Sequence, residues 1–447
     1  MNAPRTSQGA SAGDDLAMAF GGLLWAFGVE LTLFILAPAA SWVTLIRFLW
    51  PVNTHGHLAA VVVTASYVLM WVCPPVRRAL VRVLRRAHWR RRLGGAMRAM
   101  DIASMRGRYL PVIGVVSTPA GWTVTVKVPS GACWEDLSKN TERIATALRV
   151  QSVTVRRARE DASTAVLRVH RRDPLHTNEP APWPGHSAGV WVPVPVGVDE
   201  DGNSVDLAIA YNHVLVGGLP GAGKSVALSC LIAAAATDPT VRLHLFDGKL
   251  VELAAWRELA DTFVGPEPEA AIRALEGLRV LMEARYNDLL TAKVRKVTPD
   301  LAVRFGWDVH VVVVDELALY VASGDKQADT RFTGLLRDLV ARGRAAGVIV
   351  IAATQKPDST VVPTSLRDLF TLKWALRCAT PQASDTILGA GWATQGADAA
   401  TIDPATPGVG FLLHEGDTPT RLLGFHLADE HIATLVEQAK TAREVMV

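Results

Sequence analysis

Residues 218–225 read GLPGAGKS, with glycines at the first and sixth positions followed by Lys-Ser. That spacing, G-x-x-x-x-G-K-[ST], suits a loop whose backbone N–H groups wrap phosphate oxygens. Gly218, Leu219, Pro220, Gly221, Ala222, Gly223, Lys224 and Ser225 would then line the phosphate site of a bound ATP. Lys224 would reach the β- and γ-phosphates, and the Ser225 hydroxyl would ligate Mg²⁺. Similar strings occur in Gly-rich turns of unrelated α/β proteins, so the setting matters. HVLVGG (213–218) is a short apolar run that reads as a buried strand. SVALSCLIAAAA (225–236), free of Gly and Pro, reads as a helix. Strand, loop and helix in that order bring the positive end of a helix dipole to the anion.

A second candidate lies at HVVVVDELALY (310–320), an apolar strand closed by Asp315-Glu316. A carboxylate at the C-terminal end of a central strand can hold Mg²⁺, as the Walker B aspartate does in P-loop NTPases. Asp315 takes that metal role with Ser225, and Glu316 is placed to polarise the attacking water. By itself an Asp-Glu pair after a strand is an ordinary surface feature; the phosphate loop gives it chemical meaning.

Both motifs need a scaffold that brings strand C-termini together. Strands read at 213–217, 241–247, 309–315, 347–354 and 371–377 alternate with helical stretches. This pattern predicts an α/β fold with a doubly wound parallel sheet over about 186–430. Ahead of it, 101–177 reads as a small α/β domain. It comprises a hairpin at 110–118 and 122–131, an amphipathic helix at 134–148, and strands at 152–158 and 164–172. Arg156, Arg157, Arg159, Arg168, Arg171 and Arg172 make the last two strands basic, which suits either a DNA-facing surface or a solvated edge. NEPAPWPG (178–185) predicts a Pro-rich linker, and 431–447 a C-terminal helix or tail.

The 447 residues are 49% hydrophobic, with a net charge of +3. Cys73, Cys133, Cys230 and Cys378 are widely spaced with no C-x-x-C, which points away from a zinc site and a disulfide framework. The apolar excess concentrates near the start. After a tail at 1–15, residues 16–75 contain two apolar runs, 16–37 and 58–73, that predict a pair of transmembrane helices. Eight arginines and no acid lie between Arg77 and Arg92, in a basic segment at 76–100. By the positive-inside rule, both the tail and everything after the second span face the cytoplasm. The same run could bind DNA or rest on anionic headgroups.

A family resemblance is carried by RLHLFDGKLVELAAW (242–256), an Asp-x-Lys followed by V-E-L. It is similar to the FtsK/SpoIIIE DNA translocases. WVPVPVGVDEDGNSVDLAIAYNHVLVGG (191–218), ARYNDL (284–289), ARGRAAGVIVIAATQKP (341–357) and SDTILG (384–389) agree in order, as does HRRDPL (170–175). The resemblance spans roughly 105–427. It implies a RecA-like P-loop motor, a hexameric ring that hydrolyses ATP and pulls double-stranded DNA through its centre. Gln355 would sense the γ-phosphate. A cation from the neighbouring subunit would complete each site; Arg377 and Lys373 are the nearest candidates, with Arg342 and Arg344 behind them.

Chromosome-segregation members of the family carry more spans, a long linker and a C-terminal sequence-reading module, whereas little chain follows HLADEH (426–431) here. The organisation resembles shorter actinobacterial transfer proteins of conjugative plasmids and integrative elements. Chromosome segregation at the septum, or a secretion-type motor acting on protein, are the alternatives.

Overall fold

The computed structural model describes residues 74–99 and 110–446, apart from 119, 129–132, 159–160, 162, 172, 174, 177–179 and 186–188. Both expected membrane spans therefore lie outside the described residues, as do Arg159 and Arg172. Among the described residues, no helix is long and apolar enough to cross a membrane.

The chain divides into two compact units, the larger one holding Val116–Thr123, Arg149–Thr154 and Arg168–Val447. In the smaller unit the basic segment forms helix α1 (Pro74–Ala99). Trp89, Leu93, Ala96 and Met97 are buried, while Arg78, Arg82, Arg85, Arg86, Arg90 and Arg91 are exposed. The expected single helix at 134–148 is instead two, α2 (Trp134–Ser138) and α3 (Thr141–Leu148). Between them the Asn140 amide donates to the Asp136 carbonyl at 2.8 Å. Asn side chains compete in this way with the backbone ladder and interrupt helices. Arg92 donates to the carbonyl of Leu148, satisfying the C-terminal end of α3.

The four small-domain strands are β1 (Val112–Thr118), β2 (Gly121–Lys127), β3 (Ser152–Arg157) and β4 (Thr164–His170), in the order β1-β2-β4-β3. A Cβ at Gly121 would lie 2.0 Å from the Val169 carbonyl oxygen, so the sheet admits only glycine there. Of the basic residues, Arg156, Arg157 and Arg171 are exposed, whereas Arg168 pairs with Asp201 at 3.4 Å.

The larger unit is built on a ten-stranded sheet. Its strands are β5 (Val194–Asp199), β6 (Ser204–Leu207), β7 (Val214–Gly217), β8 (Val241–Phe246), β9 (Ala260–Val264), β10 (Val309–Val314), β11 (Val348–Thr354), β12 (Leu372–Leu376), β13 (Val409–His414) and β14 (Thr420–Gly424). The order is β6-β5-β14-β13-β12-β7-β11-β10-β8-β9. The run β12-β7-β11-β10-β8-β9 is parallel, and the five expected strands are all of it but β9. The expectation of a purely parallel sheet is corrected: β13, β14, β5 and β6 add on antiparallel. β5–β6 and β13–β14 are joined by tight turns, with Gly202 at φ 78° and Gly416 at φ 83°. Such turns reverse the chain, whereas a parallel neighbour needs a crossover helix.

Alternate residues of the inner strands feed two cores. Leu215, Val312, Val314, Val350 and Ala352 share one with helices α5 (Pro268–Thr291) and α8 (Lys326–Ala346). Val214, Val216, Val311, Val313, Ile349 and Ile351 share the other with α4 (Lys224–Ala236) and the C-terminal helix α11 (Asp429–Met446). The sheet is covered on both faces, as parallel strands require. The remaining helices are α6 (Pro299–Phe305), α7 (Ala318–Val321), α9 (Thr364–Arg367) and α10 (Pro381–Leu388). The expected linker is tied down, since Ala181 and Trp183 exchange backbone hydrogen bonds with His426 at 2.7 and 3.1 Å.

Candidate functional site

The phosphate loop leaves β7 at its C-terminal end and enters α4 directly. Its curvature requires left-handed glycines, Gly221 at φ 73° and Gly223 at φ 102°. At Gly223 a Cβ would also meet the Gly408 nitrogen at 2.6 Å. Neighbouring strands pin the loop: Gly218 N–H donates to Thr354, Leu219 N–H to the Arg377 carbonyl at 2.8 Å, and Gly408 N–H to Ala222 at 2.9 Å. The first turn of α4 opens at Lys224, so its leading N–H groups have no intrahelical acceptor and face the loop's concavity. Such a loop can hold an anion by backbone alone, for which side chains as plain as Pro220 and Ala222 suffice.

Lys224 and Asp315, read separately from the two motifs, are brought together as an ion pair. Lys224 Nζ donates to Asp315 Oδ1 at 2.6 Å and to its carbonyl at 2.5 Å. Lys224 is 4% exposed and Asp315 0%. Burial pushes the Asp315 carboxyl above its ordinary value, with the Lys224 ammonium opposing. Asp315 Oδ2 is buried without a hydrogen-bond partner. An unsatisfied buried carboxylate oxygen is costly and calls for a cation or a donor.

Glu316 is held more fully. Its Oε1 accepts from Thr354 Oγ1 at 2.8 Å and from Ala318 N–H at 3.3 Å, and its Oε2 accepts from Gln355 N–H at 2.9 Å. The end of β11 thus grips the acid that follows β10. Gln355, Lys356, Glu316 and Lys249 line one cleft of about 540 Å³ at the C-terminal edge of the sheet.

Part of the chain resembles known proteins. The FtsK/SpoIIIE family model matches residues 175–306. This segment is an FtsK/SpoIIIE domain. The DNA translocase FtsK of Streptomyces coelicolor is 31% identical over 280 residues, covering 55% of this chain and 28% of that protein. Its counterpart in Halalkalibacterium halodurans is 32% identical over 255 residues, covering 50% and 29%. The chain thus matches less than a third of the length of these relatives. Two solved structures share the fold. The pCW3 conjugation coupling protein TcpA, a monomer form with ATPγS, has a TM-score of 0.56 at 16% identity, covering 79% of this chain and 99% of that one. EssC (ATPases 2 and 3) from Geobacillus thermodenitrificans has a TM-score of 0.51 at 15% identity, covering 61% and 53%.

Within the FtsK/SpoIIIE domain, the Asp-x-Lys…V-E-L stretch forms a turn around a buried Asp247. That carboxylate accepts from Lys249 N–H at 3.0 Å and from Leu253 N–H at 2.8 Å. The turn carries Glu252 to Ser225, whose Oγ donates to Glu252 Oε2 at 2.7 Å. Lys249 Nζ donates to the other oxygen at 3.1 Å. The Ser225 hydrogen bond holds the Glu252 carboxyl below its ordinary value, with Lys249 adding to it against partial burial. Glu252 and Thr354 are site residues that the motif reading missed. Both lie inside quoted family stretches, yet nothing in their spacing says which way their side chains turn.

The four candidate cations separate clearly. Arg377 follows β12 at the C-terminal edge, and its own carbonyl holds Leu219 of the loop. Lys373 pairs with Leu215 and Leu413 inside the sheet, and burial lowers its pKa. Arg342 is ion-paired with Asp338 and Glu283 near the end of α8. Arg342 and Arg344 precede β11, whose length of about 23 Å at ~3.3 Å per residue separates them from the nucleotide edge.

Proposed function

We propose that this chain is an ATP-driven motor that translocates double-stranded DNA. The observation that carries the proposal is the buried Lys224–Asp315 pair at the mouth of a backbone phosphate loop, beside a Glu316 clamped by β11. On binding ATP, Lys224 turns from Asp315 to the phosphates, and the loop N–H groups cradle them. Asp315 and Ser225 fit Mg²⁺, because Oδ2 is a bare buried oxygen and hard cations take oxygen ligands. Bound Mg²⁺ would supply charge neutralisation at the phosphates. Glu316 orients and polarises the attacking water, and no protein nucleophile is needed. Gln355, joined to Glu316 through its backbone, relays the state of the site to the cleft.

The likeness to DNA translocases over the motor region supports a DNA substrate, and the assembly we favour is a hexameric ring. We further propose that apolar runs 16–37 and 58–73 anchor the protein in the plasma membrane with the motor in the cytoplasm. The cargo we favour is plasmid or integrative-element DNA passing between cells.

The test is ATP hydrolysis by the full chain in detergent, with and without linear duplex DNA. Hydrolysis should rise with duplex and fall back as salt displaces phosphate contacts. A rate indifferent to duplex but raised by a polypeptide substrate would replace DNA with protein as the cargo. Cell fractionation and reporter fusions at residues 45 and 100 test the anchor.

A further inference from the structure

Glu252 has no role in the chemistry described so far, yet it is the acceptor of the Ser225 hydroxyl proton. A serine hydroxyl has one proton and two lone pairs. With the proton directed at Glu252 Oε2, 2.7 Å away, the lone pairs of Oγ remain free for a cation. A hydroxyl whose proton pointed into the site would repel one. Glu252 is itself fixed on its far side by Lys249 at 3.1 Å, and its turn is fixed by the wholly buried Asp247. Its charge is close enough to bear on both Lys224 and Asp315. The vacant acceptor Asp315 Oδ2 belongs to the same acidic group.

We propose that Glu252 is a positioning residue for the divalent cation: it sets the Ser225 hydroxyl in the ligating orientation and adds negative charge behind it. This rests on the reading of Ser225 and Asp315 as the Mg²⁺ ligands. Lys249 keeps Glu252 from swinging into the site and ligating the ion itself. Partners of this outer kind hold first ligands in place, and their loss costs about 10–100-fold in metal affinity.

The experiment measures binding of a fluorescent ATP analogue to the full chain, first in EDTA and then across a Mg²⁺ titration. Mn²⁺ binding is read separately by electron paramagnetic resonance. Glu252→Ala should bind nucleotide in EDTA no more weakly than the parent, which also shows the loop to be folded, and should weaken Mn²⁺ and Mg²⁺ about tenfold or more. Glu252→Gln keeps an acceptor oxygen for Ser225 and should fall between the two. The proposal is overturned if Glu252→Ala binds the ions as tightly as the parent, or more tightly. The second result would mean that Glu252 occludes the site. Equal losses with and without metal would make it a purely structural residue. If the parent chain shows no metal-dependent nucleotide binding, the assignment of Ser225 and Asp315 fails first.

Discussion

Thr354 Oγ1 donates to Glu316 Oε1 across 2.8 Å, joining the last residue of β11 to the acid that follows β10. Neither residue is exposed, and the bond aligns Glu316 before any nucleotide is present. Thr354→Val keeps the shape and removes the donor. It should lower kcat about 10–100-fold while leaving KM for ATP within twofold, because only orientation of the acid is lost. Glu316→Gln should cut kcat further, by at least about 100-fold, and still bind Mg·ATP. Steady-state ATPase assays with a binding titration check both. A Thr354→Val enzyme with full kcat would remove the clamp from the mechanism.

Lys224 and Asp315 supply a stability prediction that carries a pH signature. Replacing Lys224 by Met leaves Asp315 buried with no cationic partner, a change that costs about 3–5 kcal/mol when one member of a buried pair is removed. Burial already raises the Asp315 carboxyl, and removing Lys224 raises it further. At and below the ordinary carboxylate pKa both states are protonated and the penalty is absent; it grows as pH rises toward the raised folded value and is constant above that. The Tm deficit of Lys224→Met should therefore shrink as pH falls from 8 toward the ordinary carboxylate range near 4. Adding Asp315→Asn should restore most of the Tm without restoring ATP hydrolysis.

His213, wholly buried at the entry to β7, accepts the Val350 N–H on Nδ1 at 2.9 Å. Burial lowers its pKa from 6.5 to about 3. Burial likewise takes His310 to about 4, with His244 alongside. The unfolded chain binds these protons near pH 6.5 and the folded chain does not. Stability from His213 is complete above about pH 6.5 and falls by up to ~1.4 kcal/mol per unit as pH drops toward 3. Urea midpoints between pH 7.5 and 5 should show this slope. His213→Gln, which retains an acceptor for Val350, should flatten it.

The parallel core and the phosphate loop were legible in the sequence because their signals are local. A short β-branched run bounded by turn residues favours a buried strand, and G-x-x-x-x-G-K-S set between a strand and a helix favours one loop geometry. The antiparallel strands β13, β14, β5 and β6 were not read, since their places depend on long-range pairing such as Leu423 with Val198. VDEDGNSV did contain a hairpin signal of alternating residues about a Gly-Asn turn. For the site, residue types named Lys224, Ser225, Asp315 and Glu316, but Glu252 needed the turn around Asp247 to bring it to Ser225. The cations had to await strand direction: Arg344 and Arg377 look alike as letters and lie at opposite edges of one sheet.

Of the four candidate cations, Arg377 is the one at the nucleotide edge, and a mixing experiment tells which subunit's site it serves. Its carbonyl accepts the Leu219 N–H of its own loop at 2.8 Å, which fixes its backbone beside its own phosphate loop. Arg377→Ala should lower ATP hydrolysis, with losses up to about 10³-fold where the guanidinium stabilises transition-state charge. Arg377→Ala and Glu316→Gln chains are then mixed before assembly. If the arginine acted on the neighbour, sites pairing an intact Glu316 with an intact Arg377 would form at mixed junctions and activity would recover. An arginine serving its own site leaves every chain in the mixture with one defect. The backbone tie to Leu219 predicts no recovery. Recovery to a fair fraction of the parent rate would assign Arg377 to the adjoining subunit.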